Sequence, residues 1–273
     1  MEFVFGLTFL PMALFGVAFR KCWLDEPLKN AALGGVAAGA AASLVLKFAI
    51  YPGLQMLLGV DLRTAIAETQ QLWEKAIICI FMVGGVEESA KLCGTLVVLL
   101  ALGGLSRPPA AFLASLGVAL GFSALENLDY FSLYGLDILV LRAMVSTTGH
   151  LVFTGLVGAA VGVSLHLSRK KGLTGYLLIL GGLATGAVLH GLFNLVAFES
   201  TTEVSLPILG CGLLLGMVLL YEAWMFLLRL DRTTGDFPWQ CLDCGLINGN
   251  SGRFCRGCGT RRVQFGKGLE NWQ

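Results

Sequence analysis

Apolar residues in this chain come in long unbroken runs rather than at alternating or amphipathic spacings. A membrane-spanning helix needs about 20 mostly apolar residues. About seven stretches meet that need: 1–19, 31–51, 76–104, 109–131, 138–166, 173–198 and 204–229. The third contains Gly84-Gly85 and the fifth Thr147-Thr148-Gly149, points at which a long helix yields. Pro52 is expected to end the second. Residues 61–75 are too polar to span and suit an amphipathic helix at the outer surface. After Leu230 the pattern changes, and residues 231–273 are polar, Gly-rich and basic. The expected fold is an all-α polytopic membrane domain of about seven transmembrane helices over residues 1–230, followed at 231–273 by a small zinc-ribbon or zinc-finger domain with its linker and tail.

Composition agrees with lipid as the main solvent. Only 14% of residues are charged and 56% are hydrophobic, where a soluble domain carries about 25% charged residues. The net charge of +1 offers no bulk field for nucleic acid. The apolar N-terminus lacks a basic leader and meets Arg20 and Lys21 only afterwards, which suits an anchor rather than a cleaved signal. With seven spans, the basic loop residues fall on one face: Arg20, Lys21 and Lys29, then Arg107, then Arg169 to Lys171, then Arg229 and Arg232. The positive-inside rule then places the N-terminus outside and the C-terminal domain in the cytosol. Cys22, Cys79, Cys93 and Cys211 lie in or beside apolar segments and read as small packing residues.

The C-terminal pattern is Trp239-x-Cys241-x2-Cys244-x3-Asn248-x6-Cys255-x2-Cys258. Two Cys-x2-Cys knuckles supply four thiolates to one tetrahedral zinc ion. So small a domain needs the metal to fold, and a reducing cytosol favours zinc over disulfides. The pattern resembles the zinc finger of Ran-binding proteins. That resemblance implies docking of a cytosolic protein or of RNA. Gly245-Leu246 replaces the Thr-Phe of that finger's ubiquitin binders. Arg253, Arg256, Arg261 and Arg262 suit RNA, or simply a solvated surface.

Charges inside hydrocarbon cost at least about 2.5–3.5 kcal/mol each, so each needs a reason. Lys47 and Glu222 lie near span ends and read as snorkelling side chains. The deeper groups form patterns. Glu87 and Lys91 are i,i+4 neighbours and Glu88 and Lys91 are i,i+3. Phe122-x3-Glu126-Asn127 follows on the fourth span, Arg142 and His150 on the fifth, and His190-x3-Asn194 on the sixth. The chain has three His in total, so two of them among these acids point to one shared site.

Carboxylates and imidazoles together activate water. In one version His150, His190 and a glutamate hold a catalytic zinc ion while a second glutamate takes the proton. In the other no metal takes part, and His190 with Asn194 stabilises the oxyanion. On either version Glu88, helped by Glu87, is the expected base. Glu126 is a further ligand or acid, Lys91 and Arg142 tune charge, and Asn127 and Asn194 orient partners. A proton-coupled transporter and a non-catalytic scaffold carrying the zinc finger are the rival readings.

Glu87-Glu88-x2-Lys91, Phe122-x3-Glu126-Asn127, Arg142 with His150-x3-Thr154-Gly155, and His190-x3-Asn194, in this order, resemble the PrsW family of intramembrane proteases. That family is grouped with CAAX prenyl endopeptidases and bacteriocin-processing enzymes. The resemblance implies an intramembrane endopeptidase acting on membrane-anchored proteins, with Glu87, Glu88 and His190 essential. The zinc finger is an addition to that pattern.

Overall fold

The computed structural model describes residues 11–20, 25–102, 107–168, 172–199, 202–233, 239–241, 243–248 and 254–260. The chain divides into two compact units, Met1–Leu228 and Arg229–Gln273.

The first unit is built of helices: α1 (residues 11–18), α2 (Glu26–Val45), α3 (Tyr51–Leu58), α4 (Leu62–Glu68), α5 (Leu72–Ile77), α6 (Val86–Ala101), α7 (Pro108–Tyr134), α8 (Leu136–Leu141), α9 (Thr147–Ser168), α10 (Gly172–Glu199) and α11 (Thr202–Thr233). Among the described residues five helical stretches are long and apolar enough to cross a membrane: Glu26–Leu58, Pro108–Tyr134, Leu136–Leu167, Leu173–Glu199 and Glu203–Asp231. The sequence suggests about seven, and the difference has two sources. The expected span 76–104 lies on one helical path from Leu72 to Ala101, but Glu87, Glu88 and Lys91 make it too charged to count. Of the expected span 1–19, residues 1–10 lie outside the described residues.

Three widened π-helical segments interrupt the long helices: Leu46–Ile50, Ile78–Gly85 and Arg142–Ser146. The second ends on the weak point read from Gly84-Gly85, and the third ends just before Thr147-Thr148-Gly149, which lie in regular helix. The first overturns the expectation that Pro52 ends its helix. Tyr51 N–H reaches back five residues to the Leu46 carbonyl, and α3 then starts with Pro at its N-terminal end. The π turn takes up the register that proline would break, so the helix runs on to Leu58.

α7 is the core helix, walled in by protein from Pro108 to Ala124. Its partner α2 approaches backbone to backbone because glycines face glycines: Gly35 and Gly39 against Gly117 and Gly121. A Cβ on Gly121 would sit 1.9 Å from the Val36 carbonyl oxygen. This small-residue spacing is the way helices associate where burial from water drives nothing. Asp25, which caps α2, also receives Arg107 at 2.8 Å, tying the starts of α2 and α7. Ile78–Gly85 docks on α10 as closely, since a Cβ on Gly191 would lie 2.4 Å from Ile80 Cα. That contact carries Glu87 and Glu88 up to His190. Lys47 pairs with Asp129 of α7. Cys79 is fully buried, while Cys93 and Cys211 lie exposed on the helix surface.

In the second unit, β1 (Trp239–Gln240) and β2 (Ile247–Asn248) pair antiparallel, with Trp239 opposite Asn248. Each knuckle closes in the same way: Gly245 N–H donates to the Cys241 carbonyl, and Gly259 N–H to that of Cys255. Gly245 and Gly259 have φ of 72° and 74°, a left-handed turn in which a side chain is strained.

Candidate active site

A cavity of ≈ 710 Å³ opens inside the first unit, and Glu87, Glu126, Arg142, His150, His190 and Asn194 all line it. α3 and the short helix α4 form part of its wall through Tyr51, Leu62, Arg63 and Ile66.

The two adjacent glutamates of α6 have different surroundings. Glu88 is fully enclosed. Its Oε1 accepts from Lys91 Nζ at 2.8 Å and from His190 Nδ1 at 3.0 Å. Its Oε2 accepts from the Thr154 hydroxyl at 2.8 Å. Glu87 lines the cavity. Its Oε1 accepts from the Tyr51 hydroxyl at 3.0 Å, and its Oε2 lies 3.4 Å from Lys91 Nζ and 3.7 Å from His190 Nε2. Lys91 is itself fully buried, with its ammonium 4.3 Å from the centre of the Phe122 ring.

The two imidazoles meet edge to face at 5.1 Å, and Phe153 stacks on His190 at 5.3 Å. A carboxylate only accepts, so His190 donates its Nδ1 proton to Glu88. His150 is held at both nitrogens: Lys91 donates to Nδ1 at 2.9 Å, and Nε2–H donates to Glu126 Oε2 at 2.8 Å. Arg142 pairs with the same Glu126 oxygen at 2.9 Å and lies over the Tyr130 ring at 3.7 Å. Asn127 accepts from Arg142 Nε at 3.2 Å and donates to the Thr147 hydroxyl at 3.0 Å.

The structure therefore joins Glu87, Glu88, Lys91, Glu126, Asn127, Arg142, His150 and His190 in one network. Asn194 lies on the wall of the same cavity, one helical turn beyond His190. Three participants carry no assigned role in the sequence reading. Thr154 stands one turn after His150, a spacing that the sequence does display. Thr147 and Tyr51 give no comparable signal, because only the fold brings them to the site.

Two groups of donors among the described residues gather closely enough to hold a metal ion. In the first unit they are Glu87, His150 and His190, with donor atoms all within 4.8 Å of one another. The chemistry fits a divalent cation: two imidazoles and a carboxylate, with Glu88 on the outer nitrogen of His190 as a ligand's supporting acceptor. Charge fits too: in the network Glu87, Glu88 and Glu126 are paired with Lys91 and Arg142, three carboxylates to two fixed cations among the described residues. Ligation through His150 Nε2 would replace its contact with Glu126.

In the second unit the donors are the four cysteines. Cys241 and Cys258 Sγ lie 3.4 Å apart, as do those of Cys244 and Cys255. A disulfide needs about 2.05 Å, whereas ligands about 2.3 Å from one zinc ion stand roughly 3.8 Å apart. Buried Asn248 braces the cluster, donating to Cys255 Sγ at 3.3 Å and accepting from Arg256 N–H at 2.7 Å. The Cys258 backbone N–H, with Asn248 and the Gly257 N–H, brings the Cys255 thiol down to about 6.

A helical membrane unit enclosing a carboxylate–imidazole site beside an internal cavity has the form of a membrane-embedded hydrolase. The PrsW family intramembrane metalloprotease model matches residues 26–225, and the chain belongs to that family. The protein named Protease PrsW of Shouchella clausii (strain KSM-K16) is 28% identical to it over 153 residues, 56% of this chain and 69% of that relative. No solved structure matches the chain. The protein is a multi-pass intramembrane endopeptidase acting on membrane-anchored substrates. The cysteine cluster lies beyond the matched residues.

Proposed function

We propose that peptide hydrolysis takes place at the cavity-facing set Glu87, His150 and His190, and that Glu87, rather than the expected Glu88, is the working member of the glutamate pair. One observation carries this: Glu87 lines the cavity, whereas Glu88 is fully enclosed behind it. Glu87, His150 and His190 would hold a divalent metal ion, zinc by the chemistry of the ligands. When bound, such an ion supplies Lewis acidity toward a carbonyl and an acidified water.

Around that centre the chain's own groups have distinct tasks. Glu88 fixes the ring and tautomer of His190. Lys91 balances the two glutamates of α6. Arg142 pairs with Oε2 of Glu126, so its Oε1 is the atom placed to take a proton from water. Arg142, held by Asn127, keeps that carboxylate in place. Asn194 offers an amide to the developing oxyanion.

The ribbon cysteines Cys241, Cys244, Cys255 and Cys258 hold a structural zinc ion in this reading. The finger faces the cytosol and docks a cytosolic protein or RNA, as the basic loops and its arginines support.

Metal content tests the reading. A chain ending near residue 232 should retain one equivalent of zinc, lost in His190→Ala, against two in the full chain. A truncated chain that cleaves substrate while holding no metal would overturn the metal assignment.

A further inference from the structure

Among the described residues, Tyr51 is the polar neighbour of Glu87 that comes from outside the four helices carrying the polar motifs. It stands where the π-helical segment Leu46–Ile50 passes into α3. A residue in a regular helix turns through about 100° per step, so the extra residue in a π turn changes which face the following side chains occupy. At this point the change sets Tyr51 on the cavity wall, with its hydroxyl 3.0 Å from Glu87 Oε1. The other oxygen of Glu87 faces His190 Nε2 and Lys91. The carboxylate is thus gripped at one end and presented at the other.

We propose that Tyr51 is a positioning residue for this protease: by donating to Oε1 of Glu87 it holds Oε2 toward His190, ready for the metal ion. The proposal rests on the reading of Glu87 as the working glutamate. Groups that orient a metal ligand from behind are each worth about 10–100-fold in metal affinity or activity. A phenol suits the task, since it donates one hydrogen bond and brings no charge into the membrane.

The test uses the full chain in lipid nanodiscs, comparing wild type, Tyr51→Phe and Glu87→Gln. Three readouts are taken: zinc affinity of the site that His190→Ala abolishes, kcat and KM on a membrane-anchored reporter, and the infrared carboxylate band that Glu87→Gln removes. Tyr51→Phe is expected to weaken zinc binding about 10–100-fold. At saturating zinc, kcat should fall about 10-fold with KM within about twofold, since the substrate-binding wall is kept. The Glu87 band should shift, a signature that loss of folded protein cannot produce. If Glu87→Gln is inactive and Tyr51→Phe matches wild type in zinc affinity, kcat and band position, the role of Tyr51 is overturned while the reading of Glu87 stands. If Glu87→Gln keeps zinc and cleavage, that reading falls and the role of Tyr51 with it.

Discussion

At the scale of single residues, the glutamate pair shows both what spacing reveals and what it omits. Spacing pairs both acids with Lys91, and the structure contains both ion pairs. Adjacent helical positions differ by about 100° in direction, and sequence alone does not say which one faces the cavity. The neighbours decide it: Thr154 and His190 enclose Glu88, and Tyr51 meets Glu87. Removing the Thr154 hydroxyl leaves a buried carboxylate oxygen short of its donor, at a cost of about 1–3 kcal/mol. Thr154→Val should therefore lower the unfolding midpoint in detergent while leaving zinc bound. Glu88→Gln should do more, because it keeps an acceptor for Lys91 and His190 but removes the buried charge that balances Lys91. Both midpoint and cleavage should fall. A Glu88→Gln protein of normal midpoint and full activity would remove Glu88 from the site.

At the scale of helices, apolar runs and weak points are legible because lipid demands length and composition. The boundaries read as 109–131 and 173–198 fall within helices running Pro108–Tyr134 and Gly172–Glu199. The form of the interruptions is not legible, since a π turn is set by how neighbouring helices and Pro52 share hydrogen bonds. Glycine is informative only by its surroundings. Gly121 leaves no room for a Cβ, whereas Gly210 and Gly212 of α11 have nothing within 4 Å. Gly121→Val should separate α2 from α7 and abolish a monodisperse, folded protein. Gly212→Ala should leave the fold intact and raise stability by up to about 1 kcal/mol. Size-exclusion profiles and thermal melts of the two variants check the contrast.

At the scale of the whole molecule, two kinds of donor set gather in two separate units: imidazole and carboxylate groups in the first, thiols in the second. Their pH behaviour should differ accordingly. The Cys255 thiol is lowered to about 6, below its ordinary value, so its thiolate contributes binding above that range. That contribution is lost as pH falls through about 6, when protons compete with the metal. Release of one zinc equivalent to a colorimetric chelator should therefore rise on acidification through that range, and should be absent from a chain ending near residue 232. Release that is unchanged by the truncation would place the labile metal elsewhere.

The central claim is that Glu87, at the cavity inside the membrane unit, is required for peptide hydrolysis. The most direct measurement is cleavage of a membrane-anchored reporter in liposomes by purified wild type and Glu87→Gln, matched for unfolding midpoint. The account predicts cleavage by wild type and its loss in the variant, since one of the three metal-holding groups is gone. A folded Glu87→Gln protein that cleaves within about twofold of the wild-type rate would contradict it.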